Sequence, residues 1–280
     1  MILEGAIGDA YGAGFEFAEK EKIRKKNTLT QYEPHPLFEE IKGKYTDDTQ
    51  MSIGICELLL EEKDWTPLKI ANKFVEVFKR DPRRGYAKRF YKFLMEIESG
   101  EELLRKIEPK SERNGAAMRS YSIGILGDEN EIIERCDLQS SLTHKTEKAL
   151  ISAQAIALTN HFFIYDKGRK SELLDYLQDI QRVRWTGKWS GEVKVNAIET
   201  VEAVISLIIS EDSLKEILRK SIEFSGDVDT VASLGLAIGK MSREINNDLP
   251  NWLYEELEEG KYGKGYLKEL DERLKELKVV

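Results

Sequence analysis

The stretch Ala149–Phe163, ALISAQAIALTNHFF, decides the fold class. Its apolar residues fall on every side of a helical wheel, and it shows no strand-like alternation. A helix without a polar face belongs in the middle of a core. Ala197–Ile209, AIETVEAVISLII, is apolar almost all round in the same way and predicts a second buried helix.

Helical periodicity continues outward from these two segments. Pro67–Lys79 places Leu68, Ala71, Phe74, Val75 and Phe78 on one stripe, three and four residues apart. Met51–Glu62, Val231–Met241 and Leu267–Val279 read as further helices. The one strand candidate, Glu192–Asn196, is short and polar. Asp166–Ser171 and Asn246–Asn251 read as loops. No repeat, βαβ rhythm or interdomain linker is visible. The expectation is an all-α fold, a compact multi-helix single domain over residues 1–280.

Composition narrows the function. The 280 residues carry a net charge of −8, which disfavours general nucleic-acid binding. The basic runs Lys20–Lys26 and Asp81–Lys92 read as solvated helix faces. Cys56 and Cys136 sit in apolar or helical contexts and suit reduced core residues. The N-terminus lacks a basic region, and Glu4 and Asp9 interrupt it, so no signal peptide is expected. No apolar run reaches membrane-spanning length; no membrane association and a cytoplasmic location are expected. The sequence has no nucleophile elbow, Walker loop, HExxH or CxxC.

Three acidic clusters remain. Glu16 closes a glycine-rich run that starts at Gly5. Thr46-Asp47-Asp48-Thr49 and Gly226-Asp227-Val228-Asp229-Thr230 each put two carboxylates and a hydroxyl ahead of an apolar helix. Taken singly, each reads as a helix cap, with Asp47 and Gln50 at capping-box-like spacing. Taken together they exceed that need. A cap uses one side-chain oxygen, and adjacent ionised carboxylates repel unless a cation lies between them. Oxygen-only donors suit magnesium, manganese or calcium, and so many carboxylates suit two ions better than one. The glycines at 5, 8, 12 and 14 allow close backbone approach or a tight helix face. Ser111–Ser120 reads either as a helix start that binds an anion through free N–H groups and Arg113, or as a charged cap. His35 and His161 show no partner pattern and read as structural. Trp185 and Trp189 read as loop anchors.

These clusters, in this order, resemble the ADP-ribosylglycohydrolase family, which includes the dinitrogenase reductase-activating glycohydrolases. The matching pieces are GAIGDAYGAGFEF (5–17), YTDDTQM (45–51), DPRRGY (81–86), RNGAAMRS (113–120), SLTH (141–144), NAIETVEAV (196–204), SGDVDT (225–230) and LPNWL (249–253). The pairing of TDDT with GDVDT, with NGAAMR between them, is the specific part. The resemblance implies an all-α fold around a central binuclear site with two divalent cations, Mg2+ or Mn2+. By position, Thr46, Asp47, Asp48, Asp227, Asp229 and Thr230 would be metal ligands. Glu16 matches the acidic residue beside the metals; it, Asp47 and Asp48 are the candidates for proton transfer. Gly85, Ser111, Arg113, Asn114, Gly115 and His144 match regions that hold ADP-ribose.

The chain departs from the pattern at four places. Ser225 and Val228 replace a glycine and a threonine of the GGDTDT form, and Arg113 and Ala87 replace glycines. The implied activity is hydrolysis of the glycosidic bond between ADP-ribose and a modified acceptor. An ADP-ribosylated protein with an arginine-type linkage is favoured over serine-linked or small-molecule ADP-ribose conjugates. An ADP-ribose-binding module with little turnover, and a purely structural helical protein, are the competing readings. The first helix is expected to be short, because the chain begins close to the first motif.

Overall fold

A computed structural model describes residues 1–61 and 63–278. Among them the chain forms fourteen α-helices: α1 (Ile2–Ala13), α2 (Lys20–Lys26), α3 (Asp47–Glu61), α4 (Pro67–Arg80), α5 (Lys88–Glu96), α6 (Gly100–Lys106), α7 (Glu129–Ser141), α8 (Glu147–Ile164), α9 (Leu173–Gln181), α10 (Ala197–Ser210), α11 (Leu214–Glu223), α12 (Val228–Gly239), α13 (Asn251–Glu255) and α14 (Lys264–Lys275). Among the described residues four isolated backbone bridges stand in place of any sheet. The all-α expectation is met. Glu62 and Val279, at the ends of two expected helices, lie outside the described residues.

Local sequence explains the helix starts. Thr66 accepts a hydrogen bond from the Lys69 N–H, with Pro67 at the first helical position of α4. Thr146 caps α8 through Ala149, and Asn196 caps α10 through Ile198 and Glu199. The α4 stripe buries Ala71, Phe74, Val75 and Phe78, whereas Leu68 stays 37% exposed at the helix start. α8 and α10 are buried along most of their length, as their uniform apolarity requires.

α1 is not short. It runs for 12 residues, and every one of them is buried. The glycine-rich motif is the helix itself, packed along α12 and against α3 and α14. A Cβ at Gly12 would overlap the Cα of Asp229. Only glycine lets α1 approach the first turn of α12 this closely. The same contact brings the N-terminal ends of α3 and α12 beside α1.

The segment Glu192–Asn196 forms no sheet. It is an extended strut between two loops. The Asn114 N–H donates to the Val195 carbonyl at 3.0 Å, and the Asp227 N–H donates to the Val193 carbonyl at 2.8 Å. Its backbone therefore ties residues 113–114 to residues 225–227.

Candidate functional site

α3 and α12 begin earlier than periodicity predicts, at Asp47 and Val228 rather than Met51 and Val231. Asp47, Asp48 and Asp229 thus lie in first helical turns, where free N–H groups and the helix dipole favour negative charge. Asp227, at the N-cap of α12, makes no side-chain cap bond. Gln50 completes no capping box with Asp47. Its amide instead donates to the carbonyls of Val77 and Asp81 and accepts from the Tyr86 hydroxyl.

A cleft of about 800 Å³ opens over these helix ends. Every expected site residue except Thr46 lines it: the carboxylates from α3 and α12, Thr230, Glu16, Gly85, the Ser111–Gly115 loop and His144. Phe90, Phe93, Ile107 and Met118 give the cleft an apolar side. Lys88 and Arg89 also line it, so the Asp81–Lys92 run is not merely a solvated face. Within the same run Arg83 pairs with Asp81 and Glu258 and lies over the Tyr45 ring at 3.8 Å.

Thr46 stands behind the cleft wall, held by Asp9. The Asp9 carboxylate is fully buried and accepts from the N–H and the hydroxyl of both Thr46 and Thr49, at 2.6–3.1 Å. Donating its proton leaves the Thr46 oxygen with lone pairs still free. Sequence reasoning gave Asp9 no role. Its one signal was a carboxylate inside an otherwise apolar, small-residue helix.

Glu16, Asp227 and Asp229 each offer a carboxylate oxygen, and these oxygens lie within 4.8 Å of one another. Asp47 and Asp48 fall outside this tightest group but share its electrostatics. Burial raises the carboxyl pKa of both well above the usual range, and the charges of Asp9 and Asp227 add to the shift. Burial, then Glu16, does the same to Asp229 and pushes Asp227 up to about 7. The two acidic loops, distant in sequence, therefore meet. Asn114 donates to Asp227 Oδ2 at 2.5 Å and to the Thr200 hydroxyl at 3.0 Å. It braces a carboxylate as well as lining the cleft.

The donor set fits a hard divalent cation. Asp48 Oδ1 and Asp229 Oδ1 are buried without a hydrogen-bond partner, which is costly unless a cation satisfies them. Nitrogen and sulfur ligands are absent from this group of carboxylates, which argues for magnesium or manganese over zinc.

Gly85, with φ +105°, packs against Asp47. A Cβ there would overlap Asp47 Oδ1, so this position makes room for a carboxylate. The Ser111–Gly115 loop does not start an α-helix. It forms a single 3-10 turn, Asn114–Ala116, and the Asn114 N–H is already bonded to Val195. An anion there would be met by Arg113, which is exposed, rather than by a helix end. His144 is held neutral, its pKa lowered to about 3 by burial first and then by Arg119 and Arg113. Its Nδ1 lies 2.6 Å from the Thr143 hydroxyl, which also accepts from Arg119.

Two histidines read as structural diverge. His161 is a core residue beside the Gly124 carbonyl. His35 reaches the site: its Nε2 lies 2.7 Å from Glu16 Oε2. Trp185 and Trp189 anchor their loop through Gln181 and the Gly191 carbonyl. Both cysteines are buried and unpaired.

The family model described as ADP-ribosylglycohydrolase matches residues 1–279. The chain is 28% identical over 200 residues to ADP-ribosylhydrolase ARH3 of Xenopus tropicalis, covering 68% of this chain and 56% of that protein. It thus spans little more than half the length of that relative. It is 23% identical over 263 residues to ADP-ribosyl-[dinitrogen reductase] glycohydrolase of Rhodospirillum rubrum, covering 89% of this chain and 86% of that protein. A solved structure titled "ADP-ribosylglycohydrolase-related protein complex" superposes with a TM-score of 0.78 at 17% identity, over 99% of this chain and 96% of the other, and shows the same fold. The chain belongs to the ADP-ribosylglycohydrolase family, a family of hydrolytic enzymes.

Proposed function

We propose that this chain is a metal-dependent hydrolase that cleaves the glycosidic bond between ADP-ribose and a modified acceptor. The carrying observation is the pair of buried, unpartnered carboxylate oxygens, Asp48 Oδ1 and Asp229 Oδ1, on the floor of a cleft lined by Arg113 and His144. An acidic floor grips cations, and a cationic, hydrogen-bonding side receives a diphosphate.

Asp47, Asp48, Asp227, Asp229, Thr46 and Thr230 would hold two divalent cations, Mg2+ or Mn2+. When bound, such ions neutralise the clustered carboxylates and orient and polarise the hydroxyls of the terminal ribose. Glu16 Oε1 has no hydrogen bond among the described residues, since His35 engages only Oε2. It takes the proton of the water that attacks the anomeric carbon. The bond from that carbon to the acceptor breaks, its electron pair stays with the acceptor atom, and the proton held by Glu16 passes to that atom, giving ADP-ribose, the free acceptor and the carboxylate restored. Asp47 and Asp48 are the other candidates for the proton. Arg113 and Ser111 face the diphosphate, with Gly115 packed against His144 beside them. Gly85 keeps Asp47 in place.

The favoured acceptor is an ADP-ribosylated protein, supported by similarity to the ADP-ribosyl-[dinitrogen reductase] glycohydrolase of Rhodospirillum rubrum, and the favoured linkage within this proposal is of the arginine type. Among the described residues no helix is long and apolar enough to cross a membrane, and a cytoplasmic site of action is part of the proposal.

The test is a panel of arginine-linked, serine-linked and small-molecule ADP-ribose conjugates, incubated with Mn2+ or with EDTA. The expected result is release of ADP-ribose from the arginine-linked conjugate, lost in EDTA. Equal release in EDTA removes the metal from the mechanism, and release from another linkage alone reassigns the acceptor.

A further inference from the structure

The chemistry of His35 is set by its neighbours. The ring is buried, and its Nδ1 accepts backbone N–H bonds from Leu37 at 2.9 Å and Phe38 at 3.2 Å. A nitrogen that accepts two N–H groups carries no proton. The ring proton therefore sits on Nε2, which points at Glu16 Oε2 at 2.7 Å. The loop locks this geometry. The His35 N–H donates to the Ile41 carbonyl at 2.9 Å, and the Ile41 N–H donates to the Phe38 carbonyl at 2.8 Å. The imidazole also lies against the Phe38 ring at 5.0 Å.

Glu16 needs such a hold. It lies beyond the end of α1, beside Phe17 in the left-handed region at φ 48°. Its carboxylate shares a small space with those of Asp227 and Asp229. Like charges this close repel. Asp227 and Asp229 are buried, whereas Glu16 is partly open to solvent.

We propose that His35 is the positioning residue for Glu16, a neutral Nε2–H donor that keeps the carboxylate turned into the acidic cleft against the repulsion of Asp227 and Asp229. The proposal rests on the reading of Glu16 as the proton acceptor. His35 is not a base: Nε2 already carries the proton, and Nδ1 is occupied by the backbone. A glutamine here keeps an amide donor at similar reach, whereas a phenylalanine keeps the bulk and loses the donor.

The test combines three measurements on the full chain. Long-range ¹H–¹⁵N NMR of histidine-labelled wild type, with His35 assigned by its loss in His35→Gln, should show a protonated Nε2 and an unprotonated Nδ1 at neutral pH. Turnover of an ADP-ribosylated substrate should fall about 10–100-fold in kcat for His35→Phe, with KM little changed, and recover most of that loss in His35→Gln. Mn2+ affinity, titrated with the metal alone, should weaken in His35→Phe and recover in His35→Gln. A proton on Nδ1, or a folded His35→Phe with wild-type kcat and Mn2+ affinity, overturns the proposal. Should His35→Phe fail to fold, the tautomer of the wild type and the behaviour of His35→Gln still decide. If the wild type cleaves no ADP-ribosylated substrate, the functional reading fails, while the tautomer and the Mn2+ titration still test His35.

Discussion

Gly12 and Asp229 are in backbone contact: a Cβ at residue 12 would fall on the Asp229 Cα and lie 3.0 Å from its Cβ. The obstacle is main chain, so no side-chain rotation relieves it. Gly12→Ala should cost about 1–3 kcal/mol, as overpacking does. It should also displace the first turn of α12 and weaken Mn2+ binding. Urea unfolding in EDTA and Mn2+ titration check the two effects. A variant with wild-type values for both would show that this contact does not place Asp229.

Asp229→Asn separates a metal ligand from a helix cap. The substitution keeps the shape and replaces a carboxyl whose ionised form is disfavoured by burial first and then by the charges of Glu16 and Asp227. The metal-free melting temperature should hold or rise, and the rise produced by Mn2+ should shrink sharply. A capping role predicts little change without metal, since asparagine caps a helix about as well as aspartate, and a metal-linked rise no different from wild type.

The pH dependence of the metal-free protein follows from Asp227. Burial first, then the Glu16 charge, raises its carboxyl from 3.8 to about 7. The folded state therefore keeps a proton that the unfolded chain releases. The stability this gives is complete below about pH 4, declines as pH rises from there, and is lost above about pH 7. In EDTA, wild type should lose melting temperature relative to Asp227→Asn between pH 5 and pH 8. Mn2+ should reverse the loss at pH 8. A constant gap between the two proteins would contradict the shift.

Arg113 is exposed at the cleft. If it meets the diphosphate, Arg113→Ala should raise KM about tenfold with kcat nearly unchanged, the mark of binding lost equally from ground and transition states. A fall in kcat at constant KM would move Arg113 toward the chemistry instead.

The sequence makes the long apolar helices and the acidic pairs easy to read, for different reasons. α8 and α10 have no polar face, so burial is their only stable arrangement. Asp47–Asp48 and Asp227–Asp229 carry more charge than capping explains. The supporting residues are harder to see. Asp9 is bound by threonines 37 and 40 positions away, and His35 by two backbone N–H groups and a glutamate 19 positions away. Neither arrangement leaves a side-chain pattern. The 192–196 strut is equally silent, because its partners are loop carbonyls and amides rather than strands. The basic residues at 88 and 89 read as a surface until the cleft is seen between them and the 106–115 segment.

The claim on which the rest depends is that Asp47, Asp48, Asp227 and Asp229 bind divalent metal together. Anomalous diffraction from crystals grown with Mn2+ measures this directly. Manganese peaks are expected within coordination distance, about 2.0–2.3 Å, of oxygens from both the 47–48 and the 227–229 segments. Crystals in saturating Mn2+ with no peak there, or with a peak touching only one segment, would contradict it.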